Sequence, residues 1–223
     1  MKKTILIILA ISFTLSAFSQ NDKYTKTMAS AIHALQAAEG KEGLTEVANT
    51  FERISNAMEE EWLPAYFHAY SQMLLAMASM KEQQMEQCQA YVAKAQEALD
   101  KAMALEGAHA EIWALQGLVY QGRIWEDPQA KGAEFSMKSH QALDQAIALD
   151  PQNPRAYYLK GQNIFFTPSF FGGGPSAALP LLEKAENLFA AAKPASELEP
   201  QWGRESNQRL LNQARAAKSA EKN

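Results

Sequence analysis

The chain of 223 residues has one cysteine, Cys88. An internal disulfide is thereby excluded, and the fold must hold by packing. Metal-ligand spacing is also missing. None of the four histidines, His33, His68, His109 and His140, stands three or four residues from another. The sequence has no Gly-x-Ser-x-Gly elbow, no Gly-Lys-Ser/Thr after its glycines and no dinucleotide fingerprint after a strand. Catalytic, cofactor-binding and metal-binding residues are therefore expected to be none. β-Branched residues are few and no window alternates with period two, which excludes a sheet protein. The single long apolar run, from Ile5 to about Leu15, is too short for a comfortable membrane span.

That run follows Lys2 and Lys3 and precedes the small residues Ala17 and Ser19, the pattern of a cleaved signal peptide over 1–19. An exported protein, most simply periplasmic, is expected. Two of the 21 basic residues leave with the leader, so 19 remain against 25 acidic ones, a net charge of −6. Nucleic acid and anionic membrane surfaces are poor partners for such a chain, and no stable membrane insertion is expected after cleavage.

What the sequence has in plenty is Ala, Leu, Glu, Gln, Lys and Met, the strong helix formers. Stop and start signals bracket helices over 22–38, 43–60, 63–80, 84–105, 109–123, 131–149, 154–166, 175–192 and 202–218. Inside them a pattern recurs. Ala95, Leu99 and Ala102 share one helix face, and eleven residues later come Trp113, Gly117 and Tyr120. Ser139, Leu143 and Ala146 repeat the triplet, again followed after eleven residues by Tyr157, Gly161 and Ile164. Ala178, Leu182 and Ala185 give it a third time, and Tyr66, Tyr70 and Met73 form a weaker early copy. Small residues at the glycine and alanine places let helices approach. Trp113, Tyr157, Leu99 and Leu143 are expected to fill the seam.

These residues resemble tetratricopeptide repeats, whose first helix carries Trp–Leu–Gly–Tyr and whose second carries Ala–Phe–Ala with a following proline. Trp113, Gly117 and Tyr120 match the first, Ala95, Leu99 and Ala102 the second, and Pro151 the proline place. The resemblance covers about 44–192. It implies an all-α, right-handed α-α superhelix, a TPR-like solenoid of about four irregular helix pairs, with a capping helix over 202–218 closing a single domain of 20–223. The leader together with "FFGGGPSAALPLLEKA" is also similar to exported repeat proteins of Bacteroidota-type bacteria. A more distant similarity is to the periplasmic accessory subunits of tripartite transporters.

In the repeat family the first helix of each pair lines the concave surface. Carried over by position, that surface is Phe67, Ser71, Glu111, Gln121, Arg155, Tyr158 and Gln162, with Leu74, Ala114, Leu118 and Phe165 among them. The mixture suits a peptide or helix laid in a groove. Equally, several of these residues could pack only against the C-terminal segment. The resemblance implies a scaffold for another envelope protein, no enzyme and no cofactor. The alternative is a small-molecule binder or transport accessory. Three local expectations complete the reading. Gly172–Gly174 form a helix–helix corner rather than a phosphate loop, Phe170 and Phe171 tuck against a neighbouring repeat, and Trp202, Leu210 and Leu211 cover the last pair.

Overall fold

The computed structural model describes residues 22–220. The expected leader, 1–19, lies outside the described residues. Helix α1 covers 22–37. It is followed by α2 (Gly40–Ala57), α3 (Trp62–Lys81), α4 (Met85–Glu106), α5 (Ala110–Ile124), α6 (Pro128–Leu149), α7 (Pro154–Phe166), α8 (Pro175–Ala191) and α9 (Arg204–Ala220). No strand occurs among the described residues. The fold is an all-α, solenoid-like array.

Several starts have a local cause. Asp127 accepts hydrogen bonds from the backbone N–H groups of Gln129 and Ala130, and Pro128 takes the first helical place. The break expected over Glu126–Gln129 is thus the beginning of α6, three residues before the expected start. Asn153 and Pro154 do the same for α7. Gly40 adopts φ +65°, which reverses the chain within two residues and lets α2 begin inside the expected break. Pro180 sits on the exposed side of α8, which runs through it.

The pairs α3–α4, α5–α6 and α7–α8 pack along their lengths, and α9 lies on α8. The first helices of successive pairs, α3, α5 and α7, also adjoin, forming a row. Within the pairs the nine residues of the repeated triplet, Ala95 through Ala185, are all fully buried. A Cβ on Gly117 would fall 2.6 Å from Leu143 Cγ, and one on Gly161 would fall 2.8 Å from Leu182 Cδ2. The leucine of each second helix therefore occupies the space left by the glycine of the first.

Trp113 and Tyr157 stand at the edge of that seam rather than within it, and of the two Trp113 packs against the core. Both are half-buried at the starts of α5 and α7, where their polar tips reach back six residues. The Trp113 indole N–H donates to Gly107 O at 2.8 Å, and the Tyr157 hydroxyl donates to Pro151 O at 3.3 Å. A ring whose tip must meet a backbone carbonyl of the preceding turn stays at the helix end. Among the methionines, Met73 is in the core, Met77, Met80, Met85 and Met103 pack against it, and Met137 is exposed. Cys88 is wholly buried, and burial pushes its thiol upward.

Gly117→Ala is expected to lower unfolding stability by about 1–3 kcal/mol from overpacking, less the helix-propensity gain of about 1 kcal/mol. In a Leu143→Ala background the same change should be neutral or stabilising. At Gly132, where a Cβ meets nothing within 4 Å, alanine should stabilise by about 0.5–1 kcal/mol. Urea denaturation of the three variants checks the ordering.

Candidate functional site

The aligned starts of α3, α5 and α7 bring together residues far apart in sequence. Glu111, in the first turn of α5, is buried among them. Its carboxylate accepts from Arg155 Nε at 2.6 Å and from Arg155 Nη2 at 2.5 Å. It also accepts from Asn153 Nδ2 at 2.6 Å and from the Tyr66 hydroxyl at 3.2 Å. Four donors, two of them the bidentate fork of Arg155, satisfy the carboxylate, the condition for burying a charge.

Trp202 completes this cluster from the far end of the chain. Its indole N–H donates to the Tyr66 hydroxyl at 2.9 Å. Its ring stacks on Tyr70 with centroids 4.5 Å apart and planes 15° apart, and the Arg155 guanidinium lies 5.8 Å from the ring centroid. Trp202 had been expected on the last pair. Leu210 and Leu211 do pack there, on Leu179 and Leu182. Trp202 instead precedes α9, in the strap 192–203, and crosses back to α3. Gly203 makes this possible. Its φ is +104°, and a Cβ there would stand 3.1 Å from Phe189 Cζ and 3.5 Å from both Arg155 Cγ and Tyr158 Cδ1.

The strap forms one wall of a cleft of about 630 Å3 that opens at the helix starts and includes Glu111 and Arg155 in its lining. Tyr158 lines a smaller void of about 60 Å3 beside Trp202, with Leu74 and Leu118. Burial pushes the Tyr158 phenol up to about 12, against the lowering effects of a hydrogen bond with Ser206 and of the Arg209 charge. The other expected concave residues are placed differently. Phe67 is in the core, stacked on Phe51 with centroids 5.2 Å apart. Ser71 is buried and donates to Phe67 O. Gln121 is buried and donates to Ser139 Oγ and Leu159 O. Gln162 is half-buried and lines neither cavity. The structure thus joins Glu111 and Arg155 directly, and it adds Asn153, Tyr66 and Trp202. The signal for Trp202 is a Trp-Gly pair two residues after Pro200, where the glycine argues against the expected helix start at 202. For Asn153 the sequence signals a helix cap and nothing more.

A second surface lies at the α7–α8 corner. Phe170 and Phe171 do not tuck against a neighbouring repeat. They are 78% and 72% exposed and pack on each other with centroids 4.2 Å apart, while Phe166 is 69% exposed and meets the half-buried Phe165 edge-on. The glycines hold the corner in place. Gly172 and Gly174 take φ +82° and +101°, the Gly174 N–H donates to Ile164 O at 2.9 Å, and a Cβ on Gly173 would fall 2.2 Å from Thr167 O. The glycine run is a corner, as expected, and its tightness is what turns the phenyl rings outward. From Gly161 to Leu182 the chain carries no charged residue at all.

Among the described residues no group of three His, Cys, Asp or Glu side chains could hold a metal ion, and no helix is long and apolar enough to cross a membrane. The helix pairs leave a cleft at one end and an exposed aromatic corner between α7 and α8, two surfaces open to a ligand. No protein-family model and no curated protein matches the chain. Among solved structures, the HusA haemophore from Porphyromonas gingivalis matches with 30% identity over 87% of this chain and 94% of that chain, at a TM-score of 0.75. The chain belongs to the family of that haemophore.

Two outcomes follow from the buried cluster. Glu111→Ala leaves a buried guanidinium unpaired and should cost about 3–5 kcal/mol in urea denaturation. At high pH, Tyr158 holds its proton in the folded state up to about 12, whereas an unfolded tyrosine releases it near 10. The native state therefore binds more protons, and the stability from this group, complete below pH 10, falls as pH rises toward 12. Melting temperatures measured from pH 8 to 12 should drop above pH 10, and less steeply in Tyr158→Phe.

Proposed function

We propose that this protein is an exported, non-catalytic carrier of a haem-like tetrapyrrole, and that the macrocycle lies against the phenylalanine corner. The carrying observation is the exposed, rigid group Phe166, Phe170 and Phe171 in a chain of the haemophore family. A flat π-system with two apolar faces gains most where phenyl faces are already outside and cannot collapse onto the protein. The charge-free stretch from Gly161 to Leu182 sets no carboxylate against the propionates. The cleft at the helix starts is less suited to that ligand, because Glu61, Asp150 and Glu199 line it and would repel a dianion.

Export rests on the leader-like residues 1–19. The helix pairs, read as TPR-like, act as the scaffold that presents the corner, and another envelope protein receives the cargo. Against the alternative of a groove for a bound peptide stands the occupation of the concave side by the protein's own Trp202, which favours the small-molecule reading.

Titration of the mature chain with haemin, followed in the Soret region, should saturate. The triple variant Phe166→Ser, Phe170→Ser, Phe171→Ser should bind at least about 10-fold more weakly, given roughly 1.5–3 kcal/mol for each fully covered phenyl. Its melting temperature should be unchanged, since these rings touch no core. Equal affinity of the two proteins, or no saturable binding by either, would overturn the proposal.

A further inference from the structure

The cleft has a chemistry opposite to that of the corner. Its lining includes four carboxylates, those of Glu61, Glu111, Asp150 and Glu199, and one guanidinium, that of Arg155. Glu111 and Arg155 neutralise each other. Glu61, Asp150 and Glu199 enter no ion pair among the described residues. The Glu61 side chain makes no capping hydrogen bond to α3, although it stands at the capping place. Burial, and after it the negative charge of Glu61, raises the pKa of the Tyr24 phenol that lines the same cleft.

Three helices begin here, and their N-termini alone would favour an anion. Those of α5 and α7 are already served. His109 Nδ1 accepts from the Glu111 N–H, and Asn153 Oδ1 accepts from the N–H groups of Arg155 and Ala156. Asp150 and Glu199 each accept one backbone N–H, from Gln152 and Ala195, both at 2.9 Å, and with Glu61 they leave three carboxylate charges in the lining without a cationic partner among the described residues. The walls are aromatic, with Tyr24, Trp62 and His109 in the lining and the Trp62 and His109 rings 4.2 Å apart. Indole and phenol faces beside carboxylates attract cations and repel anions, most of all where water is partly excluded. The volume of about 630 Å3 falls within the range of small-molecule sites.

We propose that this cleft is a second binding site, separate from the phenylalanine corner, for an organic cation bearing an ammonium or guanidinium group. The cationic head lies among Glu61, Asp150 and Glu199, and its methylene stem lies along Trp62. The strap at Ser196–Pro200 closes the site from the side opposite α3.

Calorimetric titration with agmatine, which carries both head groups on a four-carbon stem, tests this. Saturable binding is expected at low salt, weakening as salt is raised. It should weaken at least about 10-fold in the Glu61→Gln, Glu199→Gln double variant, whose changed side chains are exposed and leave the core untouched. Succinate, of similar length and opposite charge, should give no saturable heat. A blocked Lys–Arg dipeptide run in parallel separates the sources. Tighter binding of agmatine identifies a free amine, and tighter binding of the dipeptide identifies a protein side chain. Absence of saturable binding by agmatine and the dipeptide alike, an unchanged affinity in the double variant, or binding of succinate would overturn the site. Haemin titration of the same variant should be unaltered, so the two sites fail or stand independently.

Discussion

Gly117 and Gly161 set how near the two helices of a pair can come, because each leaves the volume into which the leucine of the partner helix projects. Close packing of this kind has little room for adjustment. With the pairs held at one spacing, α3, α5 and α7 stand in a row, and their starting turns come to one end of the molecule. The meeting of Glu111 with Arg155 across 44 residues of sequence follows from that alignment. So does the cleft, which is the space left between three helix ends and the strap.

The buried cluster has a different role from the leucine seams. A buried ion pair offsets its own desolvation with little surplus, so it is weak evidence for stability. Here its partners come from α3, α5, the α6–α7 turn, α7 and, through Tyr66, the strap. Hydrophobic contact is tolerant of small slips, whereas a carboxylate that needs four donors in fixed directions is not. The cluster therefore specifies where the strap crosses. Stacking between Trp202 and Tyr70 adds apolar area to that definition. The starts of α3, α5 and α7 are thereby covered in part by the chain's own strap.

The two outward-facing surfaces differ in charge. The corner between α7 and α8 is apolar and carries no ionisable side chain from Gly161 to Leu182, whereas the cleft gathers four carboxylates, only one of them in an ion pair among the described residues, around aromatic walls. One scaffold can hold both because the repeat buries only the inner stripe of each helix and leaves turns and helix ends free to vary. The proposal of a tetrapyrrole cargo rests on this apolar surface taken together with membership in the haemophore family. The glycine-tightened backbone explains why the phenyl rings remain outside, since a looser loop would let them fold back onto the core.

The sequence by itself determined the helices, their pairing and the small residues and leucines of their seams, but not the places of Trp113 and Tyr157. Local propensity, caps and the eleven-residue joint are encoded within short stretches, so Ala95, Leu99, Ala102 and their counterparts could be placed in the core without coordinates. It also marked Glu111 and Arg155 as belonging to one surface. Only the tertiary structure decided that these two are a buried pair, that Trp202 docks 136 residues away on Tyr66, and that Phe170 and Phe171 face outward. Those outcomes depend on where a non-periodic strap crosses and how tightly a glycine corner turns. Neither leaves a repeating signal in the residues, because both are settled by long-range contacts and by space already taken.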